Sequence, residues 1–423
     1  MRYYSIVLCF LFIVTSALSA GAESPLSTDI NDLLTVDLLT MGPGEQPFSK
    51  FGHNAIRIRD SGDNSDAVYN FGTFSVGSPT LIRDFFKGRL LYWLSCETMD
   101  VTMRRYAAEH RSMIAQHLAL SLAQKLELKR QLVLNAKPEH RIYKYDYFFD
   151  NCSTRVRDAI NRVTNGQLRG VLRTPAHQTL RAHALRASAD FFPEYLTLAI
   201  GLGPLVDRPT DAWAETFLPE ELAAALRKAS IRNPDGSVVP LVDFERTLLE
   251  HRDLRPPQPP GWAVRFFLVG ALIGLVLVTT AVLAHKHRVA SVIFGAILVI
   301  GGLVIGLLGV SLAALWAFTD HAVTYRNQSL LLLSPLALAL PWYGIRIVAC
   351  GAKAIAEMRY VAWLIFVSAL LALLAKLAPI EWQDNGNLIA FCLPCHAALV
   401  ACGGRYGRGT HFRHMGASCR ARG

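Results

Sequence analysis

The sequence predicts an α+β domain followed by an α-helical transmembrane bundle of about five helices. Three observations predict it. The 423 residues are 52% hydrophobic and only 18% charged, too apolar for an ordinary soluble chain. The back half holds long apolar stretches at roughly 262–284, 289–318, 328–349, 360–379 and 387–402, each near the ~20 residues that cross a bilayer. The front half instead mixes short β-type runs with amphipathic helical ones, as a globular domain does.

In chain order, Arg2, the apolar run Ile6–Val14 and the small residues Thr15–Ala22 form a three-part secretory signal over residues 1–22, with Ala20-Gly21-Ala22 as the cleavage site. An uncleaved anchor is the other reading, and either way the chain from residue 25 onward is exported. Thr35–Thr40 reads as a strand before the turn Met41-Gly42-Pro43-Gly44. Phe51–Arg59 alternates as a half-buried strand, and Ala67–Phe74 comes after it across a polar turn, forming a hairpin. Phe85–Leu94 reads as a further strand or an exposed amphipathic edge, and Met113–Leu120 as another strand. Ala123–Asn135 has a surface helix pattern, and Arg141–Phe149 is strand-like. Asp150-Asn151 then supplies N-caps for a helix whose apolar face is Val156, Ile160 and Val163, ending near Gly166. Residues 171–230 turn helical. The Pro-rich stretch 256–261 is a semi-rigid linker, so the exported domain spans 23–255 and the membrane domain 262–402.

The loops between apolar stretches give an orientation. His285-Lys286-His287-Arg288, the loop with Lys353 and Arg359, and the arginines of the tail 403–423 are basic. Thr319–Asn327 and Ile380–Asn387 carry only Arg326 and are otherwise neutral or acidic. The positive-inside rule puts the basic loops in the cytoplasm and the domain outside, in agreement with the signal. The net charge of +10 is thus mostly orientation, and it argues against a nucleic-acid partner. The glycine- and arginine-rich tail has no periodicity and reads as disordered.

Cys152 falls in the first turn of the capped helix, where unpaired backbone N–H groups and the helix dipole stabilise a thiolate. The plain alternative is a small buried hydrophobe. A nucleophilic cysteine needs a base and a third polar group to hold that base. His53 lies on a strand among core-type residues, whereas His110, His117, His140, His177 and His183 read as surface. Asn70 or Tyr69, on the neighbouring strand, is the candidate third group, Asn70 being favoured. Asp150 and Asn151 read foremost as caps, and Arg155 as the partner of a carboxylate or of a phosphate. A Cys96–Cys152 bridge is open to an exported chain and would make Cys152 structural. A cysteine at a helix start against a histidine-bearing sheet is the papain arrangement, here with His53 first and Cys152 last, the order of a circular permutation.

The segments Phe51–Ile58, Val68–Phe74 and Tyr145–Arg155 resemble the periplasmic domain of the Lnb lipoprotein N-acyltransferases, over about residues 30–255 and more loosely beyond. The resemblance implies a circularly permuted papain-like fold, related to NlpC-type peptidases and lecithin:retinol acyltransferase, with His53 and Cys152 as the catalytic pair. It implies an acyl chain passing from a phospholipid through a Cys152 thioester to the amine of a diacylglyceryl lipoprotein. It also implies a multi-pass protein of the bacterial inner membrane with its catalytic domain in the periplasm, using no metal and no cofactor. Tyr69, Asn151, Arg155, Asp320 and His321 are then candidate substrate contacts, the last two as an ionisable pair at the outer end of a membrane helix. Two rivals stand beside it: a Cys–His peptidase or amidase acting on cell-wall peptides, and a non-enzymatic membrane assembly module. The string Cys392-Leu393-Pro394-Cys395-His396 matches a haem-attachment pattern but lies inside an apolar helix and reads as coincidence.

Overall fold

The computed structural model describes residues 33–75, 79–232, 236–252, 256, 258–350, 352–377 and 382–404. The expected signal at 1–22, Pro257 of the linker and tail residues 405–423 lie outside the described residues.

The front half is built on a seven-stranded, wholly antiparallel sheet. Its strands are β1 (Leu34–Met41), β2 (His53–Asp60), β3 (Ser65–Thr73), β4 (Leu91–Thr98), β5 (Met113–Leu118), β6 (Ile142–Lys144) and, beyond the two-stranded ribbon β7 (Ser230–Arg232) and β8 (Val238–Pro240), β9 (Val242–Leu249). The order across the sheet is β6-β4-β3-β2-β1-β5-β9. Helix α1 (Leu81–Lys87) precedes β4, and α2 (Met99–Ala108) follows it. Helices α3 (Leu122–Asn135) and α4 (Cys152–Val163) pack against the sheet.

Residue alternation sorts the side chains onto two faces. On one, Leu38, Ile56 and Ile58 pack with Leu128 and Leu132 of α3 and with Val156, Ile160 and Val163 of α4. Each such aliphatic side chain, fully buried, contributes roughly 1.5–3 kcal/mol of transfer free energy. On the other face, Leu39, Met41, Ala55 and Val68 pack with Met99 and Tyr106 of α2. The alternation in β2 predicts a half-buried strand, but Ala55, Ile56 and Ile58 are all buried because helices cover both faces.

Two further expectations are corrected. The run Phe85–Leu94 is not one strand: α1 ends at Gly88, whose φ of 68° closes the helix in the left-handed region, and β4 starts three residues later. In the run Arg141–Phe149 only Ile142–Lys144 pairs in the sheet. The Asp146 carboxylate accepts from the N–H groups of Phe148 and Phe149, turning the remaining aromatic residues into a tight loop. Edge strand β9 is largely exposed, which leaves it without the alternation that marks the inner strands.

After α4 come α5 (Gln167–Val171), α6 (Leu180–Ala187), α7 (Phe192–Gly201), α8 (Ala212–Glu215) and α9 (Pro219–Lys228). His183 of α6, expected at the surface, is buried and hydrogen-bonded to Glu215 at 2.8 Å. Arg181 and Asp207 form a fully buried ion pair at 2.8 Å, with the guanidinium also donating to the carbonyls of Leu202 and Gly203.

Among the described residues of the back half, five segments are long and apolar enough to cross a membrane: Ala263–Leu283, Arg288–Phe318, Gln328–Cys350, Ile355–Leu374 and Gly386–Gly403. The helices within them are α10 (Ala263–Leu283), α11 (Arg288–Phe318), α12 (Leu340–Cys350), α13 (Arg359–Leu374) and α14 (Gly386–Gly404). The third segment opens in 3-10 turns, at Gln328–Leu331 and Pro335–Ala339, before α12. Gly302, Gly306 and Gly309 of α11 lie so close to residues 333–341 that a Cβ on any of them would clash. The Cys392–His396 string is packed in α14, with the Cys395 thiol donating to the Gly270 carbonyl of α10.

The two halves meet through one end of the bundle. The Asn327 amide donates to the carbonyls of Ile200 and Gly201, and the Gly203 N–H to Val323 O. Gln383 donates to Leu202 O, Asn327 Oδ1 and Ser329 Oγ, and accepts from the Gln328 N–H. These contacts use the two loops without a basic excess, those expected on the exported side.

Candidate active site

Cys152 is the first residue of α4 and is buried. Asn151 caps the helix: its side-chain oxygen accepts from the N–H groups of Ser153 and Thr154, and the Thr154 hydroxyl closes the box on the Asn151 N–H. The Asn151 amide nitrogen donates to Tyr147 O and Phe217 O. Every polar group of this side chain is thereby occupied within the fold, fixing the turn that delivers the thiol.

The helix start is locked to the head of β2 by Asn54, a buried polar residue in phase with Ile56 and Ile58. Its amide donates to Ser153 Oγ at 3.0 Å, its carbonyl accepts from Thr40 Oγ1 at 2.8 Å, and Ser153 Oγ donates to Thr216 O at 2.7 Å. The backbone N–H of Asn54, in the peptide that joins it to His53, points at the Cys152 sulfur together with those of Ser153 and Cys152 itself. Gly72 of β3 adjoins the thiol: its φ of 91° lies in the region that favours glycine, and a Cβ added there would be in ordinary contact with Cys152 Cβ at 3.5 Å.

His53 and Asn70 meet on the sheet face covered by α2. His53 Nε2 lies 3.2 Å from Asn70 Oδ1. The Asn70 amide nitrogen donates to Glu97 Oε1 at 3.2 Å, and Glu97 is held by Thr102 and Arg105. A carboxylate only accepts, so Glu97 dictates which way the Asn70 amide faces. Asn70 therefore offers its oxygen to His53, the imidazole proton resides on Nε2, and Nδ1 keeps its lone pair. Tyr69 points to the opposite face, packed in the core and hydrogen-bonded with Cys96. Cys96 and Cys152 are both free thiols, so the possible bridge is not formed.

The electrostatics differ from those of a simple helix-start thiolate. Burial pushes the Cys152 thiol up, and the three backbone N–H groups and the nearby Arg111 only partly offset this. Burial and Arg111 pull His53 down to about 4, with the Asn70 hydrogen bond opposing. At neutral pH Cys152 is a thiol and His53 a neutral imidazole. Arg111 is buried, donates to Gly42 O at 2.8 Å and stacks 4.6 Å from the Tyr106 ring, on which His53 also stacks. Its Nη2 has no hydrogen-bond partner among the described residues, and neither does the buried Tyr143 hydroxyl.

Sequence reasoning missed Glu97, Arg111 and Asn54. Of these only Asn54 left a trace, as a polar residue at an inward position of an apolar alternation.

The remaining sequence candidates lie further out. Arg155 pairs with Asp150, at 2.7 Å from Nη2 to Oδ2, and stacks 3.9 Å over the Tyr143 ring. Asp320 accepts from Arg89 and Lys144, and His321 Nε2–H donates to Phe85 O at 2.7 Å. Both residues join the membrane half to α1 and β6. Among the described residues no cluster of three or more His, Cys, Asp or Glu side chains has the form of a metal site.

Residues 25–185 match the family model of the Lnb N-terminal periplasmic domain. The match contains His53, Asn70, Glu97, Arg111 and Cys152 and ends before the membrane half. It supports kinship with the Lnb proteins for this domain. No curated protein and no solved structure matches the chain.

Proposed function

We propose that the protein is a membrane-anchored cysteine acyltransferase of the Lnb kind, with Cys152 as nucleophile, His53 as base and Asn70 as the group that orients the base. The observation that carries the reading is the Glu97–Asn70–His53 chain. It leaves an acceptor nitrogen on a histidine whose adjoining peptide N–H touches the cysteine sulfur. A cysteine kept only for packing needs neither.

In this reading Nδ1 of His53 takes the thiol proton as the sulfur attacks the ester carbonyl of a phospholipid. The amides of the helix start, and the Tyr143 hydroxyl with its unused donor, stabilise the developing oxyanion. The C–O bond breaks, the leaving lysophospholipid oxygen takes the proton from His53, and an acyl thioester remains on Cys152. The α-amine of a diacylglyceryl-cysteine lipoprotein then attacks the thioester. It gives up a proton through His53, which returns to sulfur as the amide forms and the thiol is restored. A histidine held at about 4 is a weak base but, once protonated, a strong acid toward the departing alkoxide.

The substrate class rests on the five apolar segments and on the polar contacts that join the domain to them, since both donor and acceptor would be lipids of the same leaflet. The permuted papain-like arrangement, the inner membrane and the periplasmic side belong to the same proposal.

Incubating the full-length protein with phospholipid and no acceptor should leave a hydroxylamine-sensitive mass increase of one acyl chain on Cys152, absent in Cys152→Ala. Cleavage of cell-wall peptides without that adduct would overturn the reading in favour of a peptidase.

A further inference from the structure

Helix α1 carries an apolar face that the described residues leave largely exposed. Ile82, Phe85 and Phe86 stand at i, i+3 and i+4, so they share one side of the helix, and they are 72%, 45% and 61% exposed. Arg83, Asp84 and Lys87 take the other positions of the same two turns.

The depth of this helix is set by the membrane half. The apolar helix α11 ends at Phe318, itself 82% exposed. Two residues on, the Asp320 N–H donates to Lys87 O at 2.9 Å, and His321 Nε2–H donates to Phe85 O at 2.7 Å. The Phe85 and His321 rings lie edge to face at 6.1 Å. Gly88 is indispensable to the fit, because a Cβ there would come within 2.9 Å of the His321 nitrogen. The C-terminal turn of α1 is thus fixed at the level where a membrane helix leaves the hydrocarbon. The polar layer beyond that level is roughly 5–8 Å thick on each side, less than the ~10 Å diameter of a helix.

The geometry points to α1 as an interfacial helix whose Ile82–Phe85–Phe86 face is sunk among the phospholipids of the leaflet next to the domain. The partner is the lipid surface. An apolar helix side with cationic neighbours is what that boundary accepts, and Arg83 and Arg89 flank it, both largely exposed. The inference rests on the membrane-spanning reading of the back half and is independent of acyl transfer: a peptidase on the same scaffold would have the same helix.

The test uses the full-length protein in nanodiscs of phosphatidylethanolamine and phosphatidylglycerol. The photoreactive variant Phe86→benzoylphenylalanine keeps a large aromatic group at an exposed position and is compared with Leu126→benzoylphenylalanine, on the exposed side of α3. After irradiation, residue 86 should carry a phospholipid adduct by mass spectrometry and residue 126 at least tenfold less. Equal labelling at the two sites, or crosslinking of residue 86 to a second copy of the chain in place of lipid, would overturn the inference. Because the readout needs no turnover, an inactive protein would still report it.

Discussion

The residues of the proposed active site carry predictions that separate chemistry from packing. Loss of the Glu97 carboxylate removes what fixes the Asn70 amide, while the His53 contact stays possible in one of two amide orientations. Glu97→Gln should therefore lower kcat about tenfold with KM little changed. Asn70→Ala should cost ten- to a hundredfold, the ~1–3 kcal/mol of an orphaned buried partner. The pH dependence is set by His53. Its folded value near 4 means the imidazole is neutral and able to accept a proton at every pH above that, and is lost as base only as pH falls through about 4. Alkylation of Cys152 by iodoacetamide should keep its base-assisted rate down to that region. An acid limb centred near 6.5 would show that His53 is not held as described. Arg111→Met should move that limb upward, because a cation that disfavours the imidazolium is gone. The placement of Cys152 at a helix start and of His53 on a strand was legible in the sequence through cap and alternation signals. Glu97 and Arg111 were not, because an acid at a strand end and an arginine in a turn look the same whether they face water or a half-buried histidine.

Elements were legible where one periodicity held. The paired strands, the surface helix α3 and the capped helix α4 stood out by alternation or by caps. Where the chain changes conformation within an apolar run, the pattern misled. Phe85, Phe86, Leu90 and Leu91 read as one β-type stretch, and only the left-handed Gly88 divides helix from strand. Gly88→Ala should consequently do more than strain a turn. It would force the His321 backbone away and destabilise the domain by about 1–3 kcal/mol, detectable as a lowered Tm of the full-length protein. The same variant should raise protease sensitivity on the carboxyl side of Lys87 and Arg89, since the Asp320 contacts tether both neighbours of the glycine.

At the scale of the molecule, the division into a mixed domain and an apolar bundle was plain in composition, and loop charges foretold which bundle end faces the domain. The joint itself was hidden. Asn327 and Gln383 are ordinary polar loop residues in the sequence, yet both are buried and together they occupy carbonyls of Ile200, Gly201 and Leu202. Gln383→Ala would remove the bonds Gln383 makes to the Gln328 N–H, Asn327 Oδ1 and Leu202 O, and should cost about 2 kcal/mol in thermal unfolding of the detergent-solubilised protein. The Gln383 bridge has a practical meaning for anyone cutting this chain at the proline-rich stretch. A fragment ending there would shed the groups that satisfy the end of α7, and would present bare carbonyls where the intact protein has a sealed seam. Reactivity measured on such a fragment would describe a surface the cell never displays.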